Sequence, residues 1–134
     1  MVSSGLSLFL KFLALVIVVI AIVRVGLGTG ADVTLGASVP AAGIDATIDS
    51  QERFYATVYV IYAVLLWMLA QDFQRYRPLF APALILFFAG GLARILSIVL
   101  VGPPAPSIYL LLALELALPP LLWFWTASVR KQTV

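Results

Sequence analysis

The sequence predicts an all-α integral membrane four-helix bundle with both termini on the cytoplasmic side. Three observations carry that prediction. Apolar residues make up 63% of the 134-residue chain and charged residues only 10%, whereas soluble domains run near roughly half and a quarter. Four stretches reach the length of about 20 residues that a hydrocarbon core of about 30 Å demands at 1.5 Å per helical residue. Basic residues gather on one side of these stretches, as the positive-inside rule requires.

The first span covers about residues 6–27. It has no basic cluster before Leu6 and its apolar run exceeds a signal-peptide core, so it reads as a retained helix. Lys11 snorkels to the inner surface. Residues 28–50 mix glycine, alanine, threonine and aspartate without sustained hydrophobicity, and form an extracytoplasmic loop. Their aspartates match no calcium-loop pattern. "DSQE" has capping-box spacing, with Asp49 as N-cap and Glu52 at the third helical position, which starts the second span at about 51–70.

"QDFQRYRP" is a short basic link in which Pro78 suits an end or a first turn. The third span, about 79–101, ends at "GPPAP", whose prolines cannot continue a helix. The fourth covers about 107–127. Lys11, Arg75, Arg77, Arg130 and Lys131 then lie near the inner side, and Arg24 and Arg53 near the outer. Trp67, Trp123 and Trp125 also fall near the inner interface, where amphipathic rings accumulate.

Composition excludes much chemistry. There is no cysteine and no histidine, which removes thiolate nucleophiles, imidazole bases, disulfides and the commonest zinc sites. No metal motif and no cofactor signature is present. The net charge of +2 is scattered, so no nucleic-acid footprint is expected.

One residue asks for explanation. Arg94 lies within an apolar span, where a charge costs about 2.5–3.5 kcal/mol on insertion scales. It precedes Gly102 by eight residues, a depth of about 12 Å, and Glu115 follows Ser107 by eight residues on the next, antiparallel helix. The two charges match in depth, which predicts an Arg94–Glu115 ion pair facing the bundle. Gly90, Gly91, Arg94 and Ser97 share one side of their helix, and the glycines admit a neighbouring backbone. Pro119 and Pro120 deny hydrogen bonds to the carbonyls of Glu115 and Leu116, and Arg94 has donors for them. On the second span Glu52, Tyr55, Tyr59 and Tyr62 share a face. The expected site is therefore a polar cluster of Glu52, Tyr55, Tyr59, Arg94, Ser97 and Glu115 in the outer half, with Arg24 or Arg53 at its rim.

"ERFYATVYVIYAVLLW" with "RYRPLF", "GGLARILSIVLVGPP" and "LELALPPLLW", in that order, resemble the small bacterial membrane proteins grouped as the domain of unknown function 4345 family. The resemblance covers about residues 50–125. It implies a four-helix protein of the bacterial cytoplasmic membrane and marks Glu52, Arg53, Phe54, Tyr55, Gly91, Arg94, Ser97, Glu115 and Pro119 as motif positions. It implies no function.

Three functional classes follow. The first is a non-catalytic membrane protein, either an accessory subunit or a binder of a lipid or hydrophobic ligand at the polar cluster. The second is a minimal transporter or channel gated by Arg94 and Glu115. The third is a membrane enzyme, for which no nucleophile with an orienting base is visible. The plainest reading of the ion pair is a buried bridge that sets helix register. Membrane lipids are the expected partners, with a protein partner or a second copy as further candidates.

Overall fold

The apolar runs become helices because a backbone inside a bilayer must satisfy its own hydrogen bonds. The chain, seen in a computed structural model, is described over residues 4–38 and 45–131. Its elements are α1 (Ser4–Leu27), α2 (Gly30–Thr34), α3 (Ala46–Gln71), α4 (Phe73–Tyr76), a 3-10 turn (Arg77–Leu79) that contains Pro78, α5 (Phe80–Val101) and α6 (Pro106–Lys131). No strand occurs among the described residues. Four segments, Ser4–Leu27, Ala46–Gln71, Phe73–Val101 and Pro106–Ala127, are long and apolar enough to cross a membrane.

The helices form two antiparallel hairpins. α1 runs along α3 for nearly its full length, from the Ser7 hydroxyl on the Ala70 carbonyl at one end to Arg24 on Glu52 at the other. Buried alanines line this contact: Ala14 and Ala21 on α1, and Ala56, Ala63 and Ala70 on α3. A spacing of seven keeps each set on one side of its helix. Small side chains there let the two backbones approach closely, which drives association in lipid where hydrophobicity does not.

α5 and α6 form the second hairpin, and Gly91 is where they meet. A Cβ at Gly91 would lie 2.7 Å from Leu116 Cδ2 and 3.2 Å from Glu115 Cβ. Gly90 has nothing within 4 Å of the corresponding position, so the expected two-glycine notch is a one-glycine notch. A quarter-turn of helix separates the two residues' outward directions, and α6 occupies only one of them.

The hairpins join at the end that holds the chain termini. Leu6, Leu10, Leu66, Leu69, Phe80, Leu84 and Leu122 belong to one buried cluster there. Phe9 packs near Trp125 with ring centroids 6.0 Å apart, and the Lys11 ammonium sits 5.9 Å from the Trp67 ring. Tyr62 ties α3 to α5: its hydroxyl donates to the Ala83 carbonyl at 3.0 Å and its ring stacks on Phe87.

α3 starts five residues earlier than expected, and the cap is Asp45 rather than Asp49. The Asp45 carboxylate accepts from the Thr47 and Ile48 amides at 2.8 and 3.0 Å, meeting the orphan donors of the first turn. Residues 28–50 are thus not all loop, since α2 and the first turn of α3 lie among them. Residues 39–44 of that loop lie outside the described residues.

The first-turn amides of Ile48 and Thr47 hold the Asp45 carboxyl below its ordinary value of 3.8. A depressed folded-state value means that the cap stabilises fully above the ordinary carboxylate range and is lost as pH falls through the folded value. Asp45→Ala is therefore expected to speed amide exchange at Thr47 and Ile48 near neutral pH, and the unsubstituted protein to approach the variant's rates in strong acid. Gly91→Ala is expected to cost about 1–3 kcal/mol through overpacking. Gly90→Ala, with open space around it, is expected to be neutral or to gain up to about 1 kcal/mol from helix propensity. Thermal melting in detergent, followed by circular dichroism, separates the two.

Candidate functional site

The polar residues outside the shared core collect at the loop end of the bundle, in two groups. The first is the expected pair. Arg94 Nε donates to Glu115 Oε2 at 2.7 Å, with the side chains 30% and 14% exposed. Gly91 lies one turn before Arg94 and brings α6 close enough for the contact, because its missing side chain leaves room for Leu116 and the base of Glu115. α6 continues as helix through Pro119 and Pro120. Among the described residues Arg94 gives no hydrogen bond to the carbonyls of Glu115 or Leu116, so its contact with α6 is through the carboxylate.

The second group holds the loop end of the first hairpin. Arg24 donates through Nη1 to Glu52 and through Nη2 to Asp32, both at 2.5 Å. It is only 17% exposed, so it stands at the centre of this group and not at the rim. Arg53 donates from Nε to Asp49 at 2.8 Å and from Nη1 to the Val25 and Gly26 carbonyls. Those carbonyls close α1 and lack intrahelical partners. Asp49 in turn accepts from the Thr29 amide and hydroxyl. Gly28 makes this possible. It adopts φ +56°, and a Cβ there would overlap the Asp49 carboxylate, so the helix ends on a left-handed glycine as helices commonly do.

The expected single cluster is thus divided. Glu52 answers Arg24 and makes no bond to Arg94. Tyr55 is exposed and packs edge-on against Phe54, outside either group. Ser97 is exposed one turn beyond Arg94 and bonds neither partner of the pair. Tyr59 is 41% exposed and, with Asp32, lies within electrostatic range of the Arg94 guanidinium. These two residues are what links the groups. Sequence reasoning missed Asp32 and the central place of Arg24. The signal was available in their spacing of eight, which lets a helix end and a following turn face each other, but only if "GADVT" is read as helix.

What the arrangement offers chemically is limited and specific. Among the described residues no group of three or more acidic side chains could hold a metal ion. Among the described residues no hydrogen bond engages Arg94 Nη1, Arg94 Nη2 or the Tyr59 hydroxyl. Both side chains are partly exposed, so this donor capacity lies at the surface of the bundle.

Comparison with known proteins gives one match. The family model described as "Domain of unknown function (DUF4345)" covers residues 5–126, nearly the whole chain. No curated protein and no solved structure matches.

If the pair answers two charges that apolar surroundings would otherwise penalise, Arg94→Leu and Glu115→Leu should each destabilise the bundle by about 2.5–3.5 kcal/mol, the insertion cost of the charge left alone. The double change should recover most of that loss. Unfolding of all three variants in mixed micelles checks it, and equal stability of the singles and the double would contradict the pairing role.

Proposed function

We propose that this chain, which belongs to the DUF4345 family through residues 5–126, is a non-catalytic protein of the bacterial cytoplasmic membrane. It holds a lipid or other hydrophobic molecule at the loop end of the bundle, with both termini inside the cell. One observation carries the reading: among the described residues the buried core shared by the two hairpins lies at the termini end, while Arg94 and Tyr59 are partly exposed toward the other with hydrogen-bonding capacity unused. A side chain kept solely to fix register would have its donors consumed within the bundle.

Composition agrees with a binding role. The chain has no cysteine or histidine, and the carboxylates nearest the site, Glu115, Glu52 and Asp32, are each held by an arginine. Ile95 and Leu96, which follow Arg94 on α5, are exposed, as a face against hydrocarbon should be.

The test is native mass spectrometry after mild detergent extraction. Hydrophobic species are expected to travel with the protein and to be depleted in the Arg94→Leu, Glu115→Leu double variant. Retention unchanged in that variant would place binding elsewhere. Proton or ion flux through reconstituted vesicles would favour the transport reading instead.

A further inference from the structure

A cleft lies between the two hairpins at the loop end, and neither Arg94 nor Glu115 lines it. It measures about 370 Å³, with Asp32, Leu35 and Gly36 on the side of the first hairpin and Pro103, Pro104 and Ile108 on the side of the second. That volume is at the small end of the range for ligand pockets, roughly 300–1,000 Å³. Two contacts hold the walls together. The Ser107 hydroxyl donates to the Leu35 carbonyl, and a Cβ at Gly36 would lie 3.4 Å from that of Ala105.

The lining has acceptors to offer and little left to donate. Pro103 and Pro104 have no amide hydrogen. The Leu35, Gly36 and Ala37 amides are spent on the Asp32 and Val33 carbonyls, and the Ile108 amide on that of Ala105. Asp32 gives Oδ1 to Arg24, and among the described residues no hydrogen bond takes its second oxygen.

Charge points the same way. Arg24 answers both Asp32 and Glu52, so the three side chains together carry one negative charge, and of them Asp32 lines the cleft. A cation is drawn to such a group and an anion repelled. The lining also holds no aromatic ring. Quaternary ammonium ions are recognised by aromatic faces, whereas a primary ammonium needs acceptors for its three N–H groups.

We propose that the cleft between Asp32 and the Pro103, Pro104 link binds a primary ammonium group. The Asp32 carboxylate is its counter-charge, and Leu35, the prolines and Ile108 face the methylene carbons that carry it. Such a group comes from an aminophospholipid headgroup or from a free alkylamine. Because the cleft shares no residue with the Arg94–Glu115 pair, it stands or falls independently of the ligand proposed there.

The test uses full-length protein, delipidated in detergent, at neutral pH. The probes are dioleoyl phosphatidylethanolamine, dioleoyl phosphatidylcholine, dioleoyl phosphatidylglycerol and free hexylamine, and melting temperature against probe concentration gives each apparent affinity. Phosphatidylethanolamine is expected to bind about tenfold more tightly than the other two lipids, the low end for a hydrogen bond to a charged group, because Asp32 is 32% exposed. Salt should narrow that margin, and Asp32→Asn should remove it. Ile108→Phe, which narrows the cleft and leaves every charge in place, should weaken phosphatidylethanolamine and hexylamine alike. Asp32 also pairs with Arg24, so should Asp32→Asn fail to fold, Ile108→Phe decides alone. A preference for phosphatidylethanolamine makes the source a headgroup, and hexylamine binding without a lipid preference makes it a soluble amine; both support the ammonium site. Tighter binding of phosphatidylcholine or phosphatidylglycerol overturns it, as does affinity unchanged in Ile108→Phe. Absence of both a lipid preference and hexylamine binding overturns it as well.

Discussion

Charge inside an apolar bundle must be answered at its own level, and the arrangement of this protein's loop end follows from that constraint. A guanidinium about 12 Å along α5 from its loop end cannot reach water cheaply, so α5 and α6 must present Arg94 and Glu115 to each other. The glycine at 91 is the geometric consequence, because the contact needs α6 close against α5 at that turn. Hydrocarbon offers no partner for a stray donor or acceptor, so the same logic explains why Tyr62 spends its hydroxyl on the Ala83 carbonyl and Ser7 on that of Ala70.

The two hairpins satisfy the constraint in different ways. α1 and α3 approach through small residues and are fastened at the loop end by Arg24 and Arg53, which together engage three carboxylates and two backbone carbonyls. α5 and α6 rely on one ion pair and one glycine. Between hairpins the buried cluster belongs to the termini end, so the loop end combines a heavily bonded hairpin with a sparsely bonded one.

Much of this was legible in the chain. Four spans could be read from length and apolarity, because the bilayer sets both, and the helices fall within a few residues of expectation at Leu27, Gln71 and Val101. The depth match of Arg94 and Glu115 was legible because a five-residue link forces neighbouring helices to be antiparallel. The start of α3 was not. Asp45 and Asp49 stand four apart, either can cap a helix, and what decides between them is Thr29, distant in sequence, which occupies Asp49. The tyrosine face misled for a related reason. A shared helix face is a wide arc: Tyr62 bonds α5, Tyr59 is half-exposed, and Tyr55 packs on Phe54 outside both groups. The alanine seam was present in the spacing of Ala56, Ala63 and Ala70, but an apolar helix hides small residues among large ones until a partner selects them.

Ser107 donates to the Leu35 carbonyl and so fastens the N-terminus of α6 to the turn after α2. With Gly36 lying close to Ala105, that hydroxyl joins the two hairpins at the loop end as well, by a polar contact between turns where the termini end uses buried leucines.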